Sequence, residues 1–232
     1  MASNDTLNVR SGPGVSYPIV AGLASNAHDV MRTGRATTVG SAIWWEVQKP
    51  GGGTGWSHSS YLTEYVAPSA FCANTSVNAL LTSLGTAIKN ADGAAFAALV
   101  NEKHGVDVRL VSRNKPVNFN KTAAAGIFTS TASYSWGAAE GSGLETTGAF
   151  KDVMQPKLLE VFNAATTPAC NDTSKTGTVS QPWPPEYSPF NFYSIHKPAA
   201  SGSLDWRTFL VGVEFVEGKP YVVSLVHFQW AP

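Results

Sequence analysis

The chain has 232 residues, enough for two domains of ordinary size. Its charged content is 14%, against about 25% in typical soluble proteins, and 16 basic and 16 acidic residues leave a formal net charge of zero. That balance offers no basic surplus for a nucleic-acid backbone, and no run of about 18 apolar residues is present to span a membrane.

Leu7 and Val9 alternate with Asn8 and Arg10, the period of a half-buried strand. Ser11-Gly12-Pro13-Gly14 breaks that strand, because glycine permits positive φ and proline holds its own φ. Further short strands are read at Ile19-Val20, Val30-Met31, Trp44 to Val47 and Gly55-Trp56, with turn-rich segments such as Lys49-Pro50-Gly51-Gly52-Gly53 between them. Strands at this spacing predict a small all-β barrel over residues 1–66.

The opening Leu7-Asn8-Val9-Arg10-Ser11-Gly12-Pro13, the Trp44-Trp45-Glu46-Val47 strand and the Gly55-Trp56 to Tyr61-Leu62 ending occur in that order. Together they resemble a bacterial SH3 (SH3b) module with an SH3-like barrel. The resemblance implies an extracellular or cell-surface setting. Its implied partner is cell wall peptidoglycan or another extracellular polysaccharide. Trp44, Trp45, Trp56 and Tyr61 are the candidate ligand-binding aromatics of this module, although a barrel this small also needs aromatics for its core. Neighbouring strand positions face opposite ways, so one of Trp44 and Trp45 is expected in the core and the other partly exposed. His58 is read as a loop histidine.

Cys72 and Cys170 are the two cysteines, and neither lies in a Cys-x-x-Cys pair. In an extracellular chain such a pair is expected to form one disulfide. Met1-Ala2-Ser3 carries no apolar signal segment ahead of the module, which reads as a trimmed precursor.

Residues 67–232 read as an α+β domain. Tyr65 to Ser69 is expected as a linker. Val77, Leu80, Leu81, Leu84 and Ile88 form one apolar helical stripe, with Ser76 as the expected N-cap. Shorter helices are expected at Ala94 to Val100 and Lys121 to Thr129. Another is expected at Thr147 to Phe162, kinked or divided by Pro156. Val106 to Leu110 alternates as a strand. Trp206 to Val216 and Tyr221 to Trp230 predict a long antiparallel hairpin turning at Glu217-Gly218. That register pairs Thr208 with His227, Leu210 with Leu225 and Glu214 with Tyr221, placing Trp206, Thr208 and His227 on one mixed face; a one-residue slip would invert it.

Helices first and a curved antiparallel sheet last give an α+β order. It is similar to the NTF2-like (cystatin-like) cone. The segments His104 to Leu110, Trp136 to Gly143, Leu204 to Phe215 and Val226 to Trp230 also resemble a domain of secreted bacterial proteins with no assigned function. That resemblance brings no catalytic residues with it.

Chemistry-bearing side chains are scattered: His104, Asp107, Arg109, Glu140, Glu145, Glu186, His196, Asp205, Arg207, Glu214 and His227. His104 and Asp107 do not supply the three ligands a zinc site needs, so no metal is expected. No nucleophile elbow, P-loop or dinucleotide fingerprint is present, and no cofactor is expected. Glu140 lies in a glycine-rich segment, Gly137 to Gly143, expected to be a flexible or Ω-type loop. It could act as a general acid, since glycan cleavage uses carboxyl groups. His227 sits in an apolar strand and is expected to be buried against Thr208 or Tyr221, or to face a pocket. Asp205 reads as a turn cap or ion pair, and Pro182 to Tyr187 as an extended loop.

The sequence therefore reads first as a non-catalytic, secreted or surface-attached binding protein. The barrel would bind wall or matrix polymer, and the α+β domain would bind a ligand or partner near Trp206, Thr208 and His227. Two alternatives stay open. One is an extracellular hydrolase of peptidoglycan or another polysaccharide, with Glu140 and His227 as acid and base. The other is a subunit of a surface assembly.

Overall fold

Five strands, β1 (Thr6–Arg10), β2 (Ile19–Ala24), β3 (Arg32–Val39), β4 (Ala42–Gln48) and β5 (Thr54–His58), form one antiparallel sheet in the order β2-β1-β5-β4-β3. The computed structural model describes residues 6–24, 27, 30–164, 166–177 and 180–230. The apolar side of the sheet closes on Leu7, Val9, Leu23, Trp45 and Val47. Each residue of the opening motif has a local task. Leu7 and Val9 enter the core, while the Arg10 guanidinium donates to the carbonyls of Val15 (3.0 Å) and Tyr17 (2.8 Å). Those bonds, with Ser11 N–H to the Pro18 carbonyl at 2.9 Å, hold the turn closed. Gly12 lies under the Tyr17 ring, where a Cβ would come within 2.4 Å of it. The third strand begins at Arg32, after the expected Val30-Met31. All of its residues are exposed, so it carries no apolar alternation to betray it.

The chain divides into two units, Met1–Tyr65 with Pro185–Pro189, and Val66–Pro184 with Phe190–Pro232. The second unit opens with α1 (Pro68–Cys72), which begins within the Tyr65 to Ser69 segment expected to be a linker. Its longest helix, α2 (Thr75–Lys89), starts two residues earlier than a Ser76 cap would allow. Asn74 is the cap, its side-chain oxygen accepting from Ser76 N–H (2.9 Å) and Val77 N–H (3.3 Å). The expected stripe from Val77 to Ile88 is buried. Asp92 caps α3 (Gly93–Ala98), and Asn120 caps α4 (Lys121–Ala125).

Short strands β6 (Val106–Arg109) and β7 (Val117–Phe119) follow α3, and β8 (Ser133–Ala138) and β9 (Glu145–Ala149) make a separate hairpin. Thr147 to Ala149 is thus strand, not helix. The helical run begins at Phe150 and divides at Met154 into α5 (Phe150–Val153) and α6 (Gln155–Asn163), with Pro156 in the first turn of α6. Trp136 on β8 is buried beside Phe119, Tyr134 and Phe150, and its indole N–H donates to the Gly148 carbonyl at 3.0 Å.

The remaining strands are β10 (Ala169–Cys170), β11 (Asn191–Lys197), β12 (Arg207–Val216) and β13 (Lys219–Gln229). They join β6 and β7 in a six-stranded sheet, β10-β11-β12-β13-β6-β7. The sheet is mixed, because β6 runs parallel to β13. Cys72 and Cys170 form a disulfide, Cα to Cα 5.7 Å, that ties α1 to the β10 edge.

The β12–β13 hairpin corrects the expected faces. Near the turn the register is as expected, with Glu214 opposite Tyr221 and Val213 opposite Val222. A bulge then shifts it, and from Gly212↔Ser224 onward each pair moves by one: Phe209 faces His227 and Thr208 faces Phe228. The core therefore takes Phe209, Val211, Val213, Phe215, Val222 and Leu225 against the helices. Thr208, Leu210, Val226 and Phe228 lie on the opposite side. Lys175 and Trp183 lie over that side, where the Lys175 carbonyl accepts from the Thr208 hydroxyl and the Trp183 ring stacks on Phe192 at 4.5 Å. Gly212 makes room for Trp183, since a Cβ there would come within 3.0 Å of its ring.

Candidate functional site

In the barrel, the four candidate aromatics divide unequally. Trp44 is 4% exposed and Trp45 5% exposed. The expectation that one of them would show is therefore corrected, because both strand faces are covered. Trp45 lies in the core under the Arg32 guanidinium, 3.8 Å from its ring centroid, and Trp44 packs edge-on against His58 at 5.4 Å. Trp56 is buried below Arg35, which also bonds the buried Glu46 carboxylate at 2.8 Å. Thr33 donates to the same carboxylate at 2.7 Å, so this interior charge has close partners. Tyr61 is 57% exposed, and its ring lies 5.3 Å from that of His58. His58 closes β5 and accepts from Ser60 N–H at 3.2 Å, which sets the short helical turn carrying Tyr61. It is a capping residue, not a loop histidine. Of the four candidate aromatics only Tyr61 is open, backed by His58 and Trp44; Tyr17 and Tyr65 are exposed as well.

In the α+β unit the structure separates the expected ligand residues. Thr208 and His227 sit on opposite faces of the sheet, so no single pocket holds both. His227 lies on the helix side against Phe209, with ring centroids 5.0 Å apart. Its Nδ1–H donates to the Leu110 carbonyl at 2.9 Å, in place of the expected Thr208 or Tyr221. Burial holds its pKa down at about 3, with the Leu110 bond opposing and Lys157 and Arg207 adding to the shift, so the ring is neutral.

Glu140 is at the turn of the β8–β9 hairpin. The turn is closed by Ala139 N–H, which donates to the Leu144 carbonyl at 2.8 Å. Its side chain is 10% exposed and lies 4.0 Å from Arg113. Burial raises its carboxyl pKa and Arg113 opposes the rise. Glu140 and His227 both lean on residues 110–116, through Arg113 and Leu110, but their partners differ.

Thr208 is fully buried. Its hydroxyl donates to the Lys175 carbonyl and sits 2.9 Å from His196 Nδ1. It cannot touch a ligand directly, but it orients one ring that can. Trp206 is half-buried, its ring 6.3 Å from that of His196. Burial, and secondarily Lys175, lowers the His196 pKa. Trp230, 38% exposed, directly follows β13, whose last residue Gln229 pairs with Arg207 next to Trp206. Asp205 clips the preceding loop, bonded by Lys197 (2.6 Å), Ser203 (2.7 Å) and Ala200 N–H (2.9 Å). Those bonds, led by the one from Lys197, hold its carboxyl well below the usual range.

The sequence named His196 only as a titratable residue. Its partner Thr208 comes from the pairing of β11 with β12, which sequence spacing does not encode. Glu214 is also buried, and its carboxylate meets His104 Nδ1 at 2.5 Å, a pair joining positions 110 apart that no local pattern could announce. Among the described residues, no group of three or more His, Cys, Asp or Glu side chains could hold a metal ion.

A barrel of five short strands, opened by an arginine-clamped turn and ending in a tyrosine-bearing helical turn, defines a small binding module of SH3 type. Residues 5–63 match the family model of the bacterial SH3 domain, so the N-terminal region is such a domain, followed by a separate α+β region. No curated protein and no solved structure is a significant match, and the likeness to an NTF2-like cone finds no counterpart there. Bacterial SH3 domains are typically cell-wall binding modules, which gives the chain a binding role in general. The domain and the disulfide together mark an extracellular or surface protein. Among the described residues, no helix is long and apolar enough to cross a membrane.

Proposed function

We propose that this is a secreted or surface-attached binding protein. Residues 1–66 grip wall or matrix polymer, and residues 67–232 bind a ligand or partner beside that anchor. The observation that carries this reading is the SH3 match over residues 5–63, with Tyr61 open at the surface of the module. Anchoring raises the concentration of the second region near its target without any new contact. The test is cosedimentation of the full chain with insoluble peptidoglycan sacculi and insoluble polysaccharides, with soluble fragments assayed in the same tubes. Pelleting on at least one polymer, weakened by Tyr61→Ala, is expected without fragment release. A chain that stays in the supernatant with every polymer overturns the anchor.

The hydrolase reading is supported by one feature, the Glu140 carboxyl with its raised pKa, as a general acid requires. In that case soluble fragments appear, and Glu140→Gln abolishes them while pelleting persists.

A further inference from the structure

Deepening the ligand-binding half of that reading, we propose that the Trp206 end of the sheet is a second carbohydrate site. Trp206 and Trp230 form its floor, His196 is its hydrogen-bond acceptor, and it takes an uncharged polyhydroxylated ligand.

The argument starts from Thr208. Its single hydroxyl proton goes to the Lys175 carbonyl, which can only accept. The 2.9 Å contact with His196 Nδ1 must then use a Thr208 lone pair, so the proton of that bond sits on Nδ1. The imidazole is thereby fixed in one tautomer, with a lone pair on Nε2. The lowered His196 pKa agrees with a neutral ring, which keeps that lone pair available near neutral pH.

The surroundings suit a sugar. Sugar rings present an apolar face of C–H groups edged by hydroxyls. Trp206 supplies a broad apolar surface beside His196, with ring centroids 6.3 Å apart, Trp230 is exposed at the end of the neighbouring strand, and each indole carries an N–H at its edge. A ligand hydroxyl would donate to His196 Nε2, and the exposed Lys175 ammonium could donate to a ligand oxygen. An anion would waste the Nε2 acceptor, and a purely apolar ligand would bury it unmet. A polymer of neutral sugar units satisfies both demands. Thr208 is then a positioning residue, buried and acting through His196.

The test uses the full chain and two soluble neutral probes, chitotetraose and cellotetraose, titrated by calorimetry. Binding of at least one is expected. Trp206→Ala and His196→Ala should each weaken it by about tenfold or more, as truncation of a central contact does. Thr208→Val should also weaken binding, and Thr208→Ser should restore it. Ring ¹⁵N shifts of His196 should report the Nδ1–H tautomer in the wild type and lose it in Thr208→Val. Failure of both probes to bind the wild-type chain overturns the proposal. So does binding that survives Trp206→Ala and His196→Ala in chains that remain folded by circular dichroism. Sacculus pelleting that depends on Tyr61 would stand in either case, so a failure here is distinct from a failure of the anchor.

Discussion

The barrel and the α+β region solve the same problem at different scales. The barrel has little to bury: among the described residues its core cluster is Leu7, Val9, Leu23, Trp45 and Val47, and arginines lie over Trp45 and Trp56. Its order comes from local fastenings, above all the Arg10 clamp on the turn that follows it. The α+β region buries apolar side chains from α2, α3, α6 and every long strand of its sheet, and adds a disulfide between positions 98 apart. Large domains bury a greater fraction of their surface, so the second region can tolerate polar groups on the far side of its sheet. Small modules depend on turn chemistry, and larger ones on distant packing.

The sharpest way to break this comparison is to remove the Cys72–Cys170 link. Cys72→Ser with Cys170→Ser should cost the α+β region about 4–5 kcal/mol in the chain-entropy model and leave the barrel unchanged. Urea unfolding followed by NMR signals from each region would check it, and equal loss in both regions would end the comparison. Phe209→Ala should come next, at about 3–5 kcal/mol, again confined to the α+β transition.

His227 sharpens the comparison through pH. Its folded-state pKa, about 3, lies below the ordinary value of about 6.5. The unfolded chain therefore binds the extra proton first. The stabilisation is complete above about pH 6.5 and is lost as pH falls toward 3. Urea midpoints of the α+β transition should fall over this window, and His227→Phe should flatten that slope. An unchanged slope in the variant would contradict the buried neutral ring. In the barrel, Arg10→Ala removes two charge-assisted bonds to carbonyls and should cost about 1–3 kcal/mol there alone. Asn74→Ala, which strips the cap of α2, should cost about 1 kcal/mol in the α+β region.

The sequence by itself determined the barrel's opening turn and its strands other than β3, since each depends on neighbours a few residues away: Leu7 and Val9 by alternation, Gly12 and Pro13 by their φ preferences; β3, exposed along its whole length, left no such pattern. It also determined the α2 stripe, the β12–β13 hairpin and, from compartment and pairing, the disulfide. Tertiary structure decided the rest. The bulge at Gly212 and Val213 turned half of β13 over, because a period of two gives no margin for one extra residue. Trp44 and Trp45 both became buried because both faces of their strand found cover. His227 met the Leu110 carbonyl and Thr208 met His196, through strand pairings that sequence spacing does not encode. Local propensity chooses an element; which face it shows, and to what, is chosen by the packing of elements distant in the chain.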